Sequence, residues 1–191
     1  RDCLLSRGLG DVYKRQYLDR SYTQINYNSW NPSLHIYRDD TYNTPYKGIR
    51  EANYFMQNVH KCPPEELNDV DKGYYYNEAR FLRAYYYFLL FRQYGPVFIW
   101  GDQIADETID AKSVDRHTVQ ENIDFMVGEL DAIKNDLPVR TDDIGIDGKQ
   151  WAGRVTRGAA LALKSRILLY AASPLYNGCC LLYTSDAADE E

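Results

Sequence analysis

The chain has 191 residues, a net charge of −6, and 45% hydrophobic and 26% charged residues, which is the composition of an ordinary globular domain. Because the chain is acidic and shows no stripe of Lys and Arg, we expect no nucleic-acid partner. No apolar run approaches the roughly 20 residues that span a bilayer. The 18 tyrosines offer flat apolar faces with polar tips, which suit helix packing and also polar ligands with flat faces.

The first helix is predicted over residues 46–60. Residues 17–42 before it are rich in Tyr, Asn, Ser and Asp and read as loop. Pro45 marks the start of the helix, and Cys62-Pro63-Pro64 follows its end. Apolar residues recur at helical spacing: Ile49, Ala52, Phe55 or Met56, and Val59. Glu65 and Glu66 are expected at the start of the next helix, where the macrodipole favours negative charge.

The second helix is predicted from about Leu67 to Tyr94 and is apolar or aromatic almost all the way round. Two stripes at helical spacing indicate that it is covered on two sides. The first stripe is Tyr75, Ala79, Leu82, Tyr86 and Leu89, and the second is Phe81, Tyr85 and Phe88. Gly95, which tolerates a left-handed cap, and Pro96 end the helix. Residues 97–100, VFIW, are predicted to be extended.

Two further helices follow. Thr118 and Glu121 fit a capping box, and one apolar stripe runs from there until Pro138 closes the helix: Val119, Ile123, Met126, Leu130, Ile133 and Leu137. Thr156 can cap the last helix, whose inner face is predicted as Ala160, Leu163, Ile167 and Tyr170. Its small residues, Gly158, Ala159, Ala160 and Ala162, would allow a neighbouring helix to approach closely. No set of strands is visible, so the fold class is all-α, built from about four helices in pairs.

The residues offer few candidates for chemistry. The three histidines show no metal-ligand spacing, and no catalytic group or cofactor motif stands out, so we expect no metal site, no cofactor and no catalytic residue. Aromatic rings and amides are what proteins use against sugars. Trp30 with Asn31, in the Tyr- and Asn-rich loop, is therefore the best ligand-binding candidate. The alternative is that Trp30 packs over the helices, since tryptophan is mostly buried.

Four segments together resemble one family. YNEARFLRAYYYFLLFRQYGPVFIW (76–100) is similar to the signature segment of the SusD/RagB outer-membrane lipoproteins. Three others are similar to family segments in the same order: YKGIREANYF (46–55), HTVQENIDFMVGELDAIKNDLP (117–138) and GRVTRGAALALKSRILLYAASPLYN (153–177). The chain departs from the pattern at Phe98-Ile99-Trp100, where relatives often have Pro-Leu-Ile. It also has Tyr42 where relatives often have Trp, which makes Tyr42 a third ligand-binding candidate.

The resemblance implies a superhelix of tetratricopeptide-like helix pairs and a lipoprotein on the outward face of the outer membrane. Such proteins capture glycans or other nutrients, pass them to a TonB-dependent transporter of the SusC type, and are not enzymes. Family members are longer, so the chain is expected to be a fragment without the signal peptide, the lipidated cysteine and the C-terminal binding insertions. Its only contact with a membrane would be through that missing lipid anchor.

The two ends differ from the rest of the chain. Residues 1–16 and 179–191 share no periodicity with the helices and resemble translated sequencing adapter. We therefore expect two artefact tails around a partial SusD-like helical domain at 17–178.

Two other classes of protein stay open at this stage. A cytosolic tetratricopeptide adaptor that binds protein segments is the main alternative, but true repeats recur at about 34 residues and these helices do not repeat at one period. An all-α glycan-degrading enzyme would need two carboxylates across a cleft, and no such pair stands out in the sequence.

Overall fold

A computed structural model describes residues 41–104, 114–140 and 153–176. Within these ranges the chain forms α1 (Asn43–Asn58), a short 3₁₀ helix (Val59–Lys61), α2 (Asp69–Tyr94), α3 (Val119–Ile133) and α4 (Arg157–Ala171). The same ranges contain no β-strand, so the predicted all-α class is confirmed. No helix in the described part of the chain is long and apolar enough to cross a bilayer.

Contacts divide the chain into two compact units, Arg1–Asn43 and Thr44–Glu191. Apart from the first residue of α1, all four helices belong to the second unit, which is the one described below. The predicted tails, 1–16 and 179–191, lie outside the described residues.

Helix α1 begins three residues earlier than predicted, so Pro45 lies within its first turn, where proline costs no hydrogen bond. Its buried apolar side chains include Ile49, Ala52 and Met56. Of the two residues that the spacing left open, Met56 is therefore the buried one and Phe55 is exposed. The predicted end at residue 60 falls within the 3₁₀ turn that continues α1.

The ends of α2 are set by local chemistry. Asn68 caps the first turn, because its side chain accepts a hydrogen bond from the Asp71 backbone N–H at 2.7 Å. The helix starts two residues later than predicted, so Glu65 and Glu66 precede it and the acidic residues of its first turn are Asp69 and Asp71. Gly95 ends the helix with φ 72° and ψ −150°. The positive φ is as predicted, but this ψ lies outside the left-handed helical region, in a region that essentially only glycine occupies.

The predicted stripes of α2 match its core face only in part, since Ala79 and Phe88 are buried but most other stripe residues are not. Leu82 and Tyr85 are 38% and 39% exposed, and Tyr75, Phe81, Tyr86 and Leu89 are only partly buried. The core side chains of α2 are Tyr74, Ala84, Tyr87, Phe88, Leu90 and Phe91, of which only Phe88 belongs to a predicted stripe. Because apolar residues surround this helix, periodicity offers several equally good stripes, and the choice depends on where the other helices lie.

Helix α3 confirms the capping box and the single stripe. The Thr118 hydroxyl accepts from the Glu121 N–H at 3.2 Å, and the Glu121 carboxylate accepts from the Thr118 N–H at 2.7 Å. Five of the six predicted stripe residues are buried, and Val119 is half-buried. The helix ends at Ile133 rather than at Pro138, and buried Leu137 lies in the turn that follows.

Helix α4 starts at its predicted cap, with the Thr156 hydroxyl accepting from the Ala159 N–H at 3.3 Å. Its inner face is confirmed, since Ala160, Leu163 and Ile167 are buried and Tyr170 is half-buried. The prediction of close approach through small residues is wrong for Gly158 and Ala162, which are exposed. Residues at these two positions lie away from the inner face of the helix.

The core lies where α2 packs against both α3 and α4, which also pack against each other. The largest fully buried side chains at this junction are Tyr87, Phe88, Phe91, Leu90, Met126, Leu130, Ile133 and Ile167. Tyr170 of α4 meets the Phe88 ring edge-on, with centroids 6.0 Å apart, in a favourable aromatic geometry. The central position predicted for the second helix is therefore confirmed.

Candidate functional site

The three predicted ligand-binding residues lie at or beyond the start of the described residues. Trp30 and Asn31 fall outside them. Tyr42 lies just before α1 and is 43% exposed, as a ring that meets a ligand has to be. Their role in binding stays a prediction.

The extended segment after α2 is held mainly by side chains, with one backbone bond from the His117 N–H to the Val97 carbonyl at 3.3 Å. Asn122 of α3 donates to the Val97 carbonyl at 3.1 Å and accepts from the Val97 N–H at 3.3 Å. The Ile99 N–H donates to Nδ1 of His117 at 3.1 Å, and the Trp100 N–H donates to the Tyr87 hydroxyl at 2.9 Å. These bonds pair both backbone groups of Val97 and the N–H groups of Ile99 and Trp100, which explains how a β-branched segment stays extended in an all-α domain.

A buried arginine, Arg83, lies at the centre of the described unit and was missed in the sequence analysis. Its side chain is 3% exposed. The guanidinium donates to Oε2 of Glu129 on α3 at 2.6 Å and to Oδ1 of Asn53 on α1 at 2.8 Å. It also donates to the Gly101 carbonyl at 3.0 Å and to Oδ1 of Asp102 at 2.6 Å. One side chain of α2 thus connects α1, α3 and the loop at 101–102.

The charges around Arg83 balance. Arg80 donates two hydrogen bonds to Glu129, at 2.9 and 3.2 Å, so two guanidinium groups face the carboxylates of Glu129 and Asp102. Burial alone disfavours the charged form of Arg83, but the two carboxylates outweigh it and raise the pKa of Arg83. The hydrogen bond to Glu129 is the main cause of the raised pKa of Arg80. Because these groups satisfy one another, we assign the cluster a role in positioning the loop rather than in binding a ligand.

A groove of about 320 Å³ separates α1 from α2. The lining residues of each helix recur at helical spacing and so come from a single face. The α1 wall is Gly48, Glu51, Ala52 and Phe55, and the α2 wall is Tyr75, Glu78, Ala79, Leu82 and Tyr86, with Arg154 completing the groove. Four of the five residues in the first predicted stripe of α2 belong to this wall. That stripe is therefore a real helix face, but it faces the groove rather than the core.

Gly48 makes room for the Tyr86 ring at one end of the groove. A Cβ atom at this position would lie 2.5 to 2.9 Å from three carbon atoms of the Tyr86 ring. Only glycine therefore lets this ring lie against the backbone of α1. Within the described residues, no group of three potential metal ligands lies together, in the groove or elsewhere.

The polar groups of the groove carry both signs of charge. Glu78 lies 3.6 Å from the Arg154 guanidinium, which also lies over the Tyr75 ring, 4.8 Å from its centroid. Glu51 is exposed on the α1 wall. No sequence pattern pointed to these three residues, because Glu78 and Arg154 come from segments 76 residues apart and meet only in the fold.

A family model described as starch-binding and associating with the outer membrane matches residues 9–169. The chain belongs to the SusD-like family. No curated protein matches it. Among solved structures, this SusD-like chain is similar to a SusD-like protein from Bacteroides fragilis, with 28% identity over 82% of the chain and a TM-score of 0.62. It is also similar to a SusD superfamily protein from Parabacteroides distasonis, with 26% identity over 81% of the chain and a TM-score of 0.61.

The chain matches only part of the length of each relative. The SusD-like chain spans 28% of the B. fragilis protein and 31% of the P. distasonis protein. A further B. fragilis structure, a SusD-like carbohydrate-binding protein, matches 73% of the chain at 25% identity and a TM-score of 0.57. The recognition made from the four sequence segments is thus confirmed. Arg83 lies within residues 76–100, the segment that is similar to the family's signature.

Proposed function

We propose that this SusD-like chain is part of a surface protein of the outer membrane that binds glycans without breaking them down and transfers them to a TonB-dependent transporter of the SusC type. The observation that carries the proposal is the family match over residues 9–169, whose description names starch binding and the outer membrane. The B. fragilis relative named as carbohydrate-binding agrees with it. The protein faces outward and is attached by a lipid anchor. The adaptor and enzyme alternatives have no comparable support.

Trp30, Asn31 and Tyr42 are the proposed glycan contacts. Aromatic rings stack on the apolar faces of sugars, and amide groups bond to their hydroxyls. Electrophoresis through native gels that contain soluble starch tests this directly, with matched gels lacking polysaccharide as the reference. We expect starch to retard the chain, and we expect Trp30→Ala and Tyr42→Ala to reduce the retardation. Tyr54→Ala is the matched control, because Tyr54 is an exposed tyrosine of α1 outside the proposed site.

Polysaccharides other than starch form a second set of gels, since the glycan bound by this chain need not be the one in the family description. A chain that migrates alike in every gel would contradict the glycan-binding proposal. The transfer step is tested separately, by co-expression with a TonB-dependent transporter of the SusC type and purification in detergent. If the transporter does not co-purify with the protein, the transfer step is wrong even if glycans bind.

A further inference from the structure

The α1–α2 groove has the side chains that a sugar ring requires. Phe55, Tyr75 and Tyr86 offer aromatic surface, which packs against the apolar faces of pyranose rings. Glu51, Glu78 and Arg154 supply acceptors and donors for hydroxyl groups at the same place. Apolar walls with a few convergent polar groups are the usual form of a small-molecule site.

The size of the groove limits what it can hold. Small-molecule sites range from about 300 to 1,000 Å³, and this groove, at about 320 Å³, is at the lower end. It is therefore suited to one or two sugar units rather than to a longer oligosaccharide. Leu82 lies on the α2 wall and is exposed, so a ring in the groove can remain connected to sugar units outside it.

The charge of the lining indicates which sugars fit. Two carboxylates and one guanidinium line the groove, which gives it a net negative charge. Arg154 is already close to Glu78, at 3.6 Å. Within the described ranges, the Glu51 carboxylate makes no hydrogen bond or ion pair, so it is available to accept from a sugar hydroxyl. A ligand carboxylate would meet like charge at Glu51, and a neutral sugar would not.

We propose that the α1–α2 groove is a second saccharide subsite, which takes a neutral pyranose and rejects uronic acids. The inference rests on the proposed glycan-binding function and adds to it a place, a limit on the number of sugar units and a charge preference. Glu51 accepts hydrogen bonds from the sugar hydroxyls, Arg154 donates to them, and the aromatic rings cover the apolar ring face.

Ligand-observed NMR on the full chain tests this subsite, because saturation transfer detects the weak binding of single sugars. The probes are methyl glucoside and methyl galactoside, with glucuronate and galacturonate as their acidic counterparts. We expect signals from the neutral sugars and at least tenfold weaker binding of the uronates. Ala79→Leu puts a larger side chain into the groove and should weaken binding of the neutral sugars by roughly tenfold or more, because it takes up space that the sugar ring needs.

A second variant tests the proposal even if Ala79→Leu does not fold. Glu51→Gln changes an exposed residue, removes the charge and keeps the shape of the side chain, so the preference for neutral sugars over uronates should fall several-fold. Glu65→Gln removes one negative charge from the exposed turn before α2 and should leave the preference unchanged. Circular dichroism of each variant establishes that the helices are intact.

The outcomes separate the two proposals. The groove proposal is overturned if Glu51→Gln keeps the wild-type preference for neutral sugars over uronates. It is also overturned if uronates bind the unchanged chain as tightly as neutral sugars do. If starch still retards the chain in gels, the glycan-binding function stands without the groove. If neither polysaccharide nor simple sugar binds, both proposals fall.

Discussion

Replacing Arg83 with methionine should destabilise the domain more than any other single change in its charged cluster. Methionine fills much of the same space but leaves the Glu129 carboxylate, which is 10% exposed, without its shortest hydrogen bond. It also leaves the Gly101 carbonyl and the Asn53 side-chain oxygen without the donor that they share. Removing one member of a buried ion pair typically costs about 3–5 kcal/mol.

The neighbouring charged groups, Asp102 and Arg80, place the expected loss of stability at the lower end of this range. Asp102 is 88% exposed, so its ion pair with Arg83 is solvent-screened and contributes no more than about 1 kcal/mol. Arg80 keeps two hydrogen bonds to Glu129 in the variant and limits the loss. We therefore expect Arg83→Met to lower the free energy of unfolding by about 3 kcal/mol, at the lower end of that range.

Urea unfolding followed by circular dichroism measures the change, through the midpoint and the slope of the transition. Asp102→Asn is the matched control and should cost less than about 1 kcal/mol. A double-mutant cycle with Glu129→Gln isolates the pair itself, and residues that share one network should couple by about 0.5–3 kcal/mol. Substitutions at uninvolved surface sites usually change the free energy of unfolding by less than about 0.5 kcal/mol. If Arg83→Met changes it by no more than that, the buried network does not stabilise the domain.

Three further predictions follow from single contacts. Burial raises the pKa of Tyr87 to about 12, while in the unfolded chain it is about 10. The contribution of Tyr87 to stability is therefore fully present below pH 10 and is lost as the pH rises through 12. The urea midpoints at pH 9 and pH 11 should differ less for Tyr87→Phe than for the unchanged chain. Gly48→Ala places a Cβ against the Tyr86 ring and should cost about 1–3 kcal/mol despite the better helix propensity of alanine; a raised melting temperature would contradict this. Thr118→Ala removes the capping box of α3 and should lower the urea midpoint by the equivalent of about 1 kcal/mol, whereas an unchanged midpoint would show that the cap is not needed.

Sequence predicted this fold best where the deciding interactions are local. The caps at Thr118 and Thr156 each join residues three apart, so the pattern alone contains the whole interaction. The stripe of α3 was also predictable, because polar residues such as Gln120, Glu121 and Asp124 occupy exposed positions and leave one face to bury. Neither condition holds in α2.

The central helix shows where prediction from sequence stops. Its apolar residues occupy most positions, so the pattern identified a true face, from Tyr75 to Tyr86, but assigned it to the core. Arg83 was missed for a related reason. Charged side chains on a helix are usually exposed, and the partner that stabilises this one, Glu129, lies 46 residues away. No spacing within α2 could indicate that contact.

The buried network and the groove depend on the same two helices, and this links stability to the proposed binding. Two of the contacts that hold helix α1 lie beside the groove: Asn53 bonds to Arg83 and to the carbonyls of Gly101 and Gln103, and Gly48 meets the Tyr86 ring. Asn53 lies in the sequence between Ala52 and Phe55, two residues of the groove wall, and Gly48 is itself part of that wall. The spacing between α1 and α2 is therefore set before a ligand arrives, and a site that is already formed loses little affinity to reorganisation. Changes to Arg83 should accordingly weaken sugar binding in the groove, although Arg83 does not line it, whereas changes to Glu51 should alter binding and leave stability unchanged.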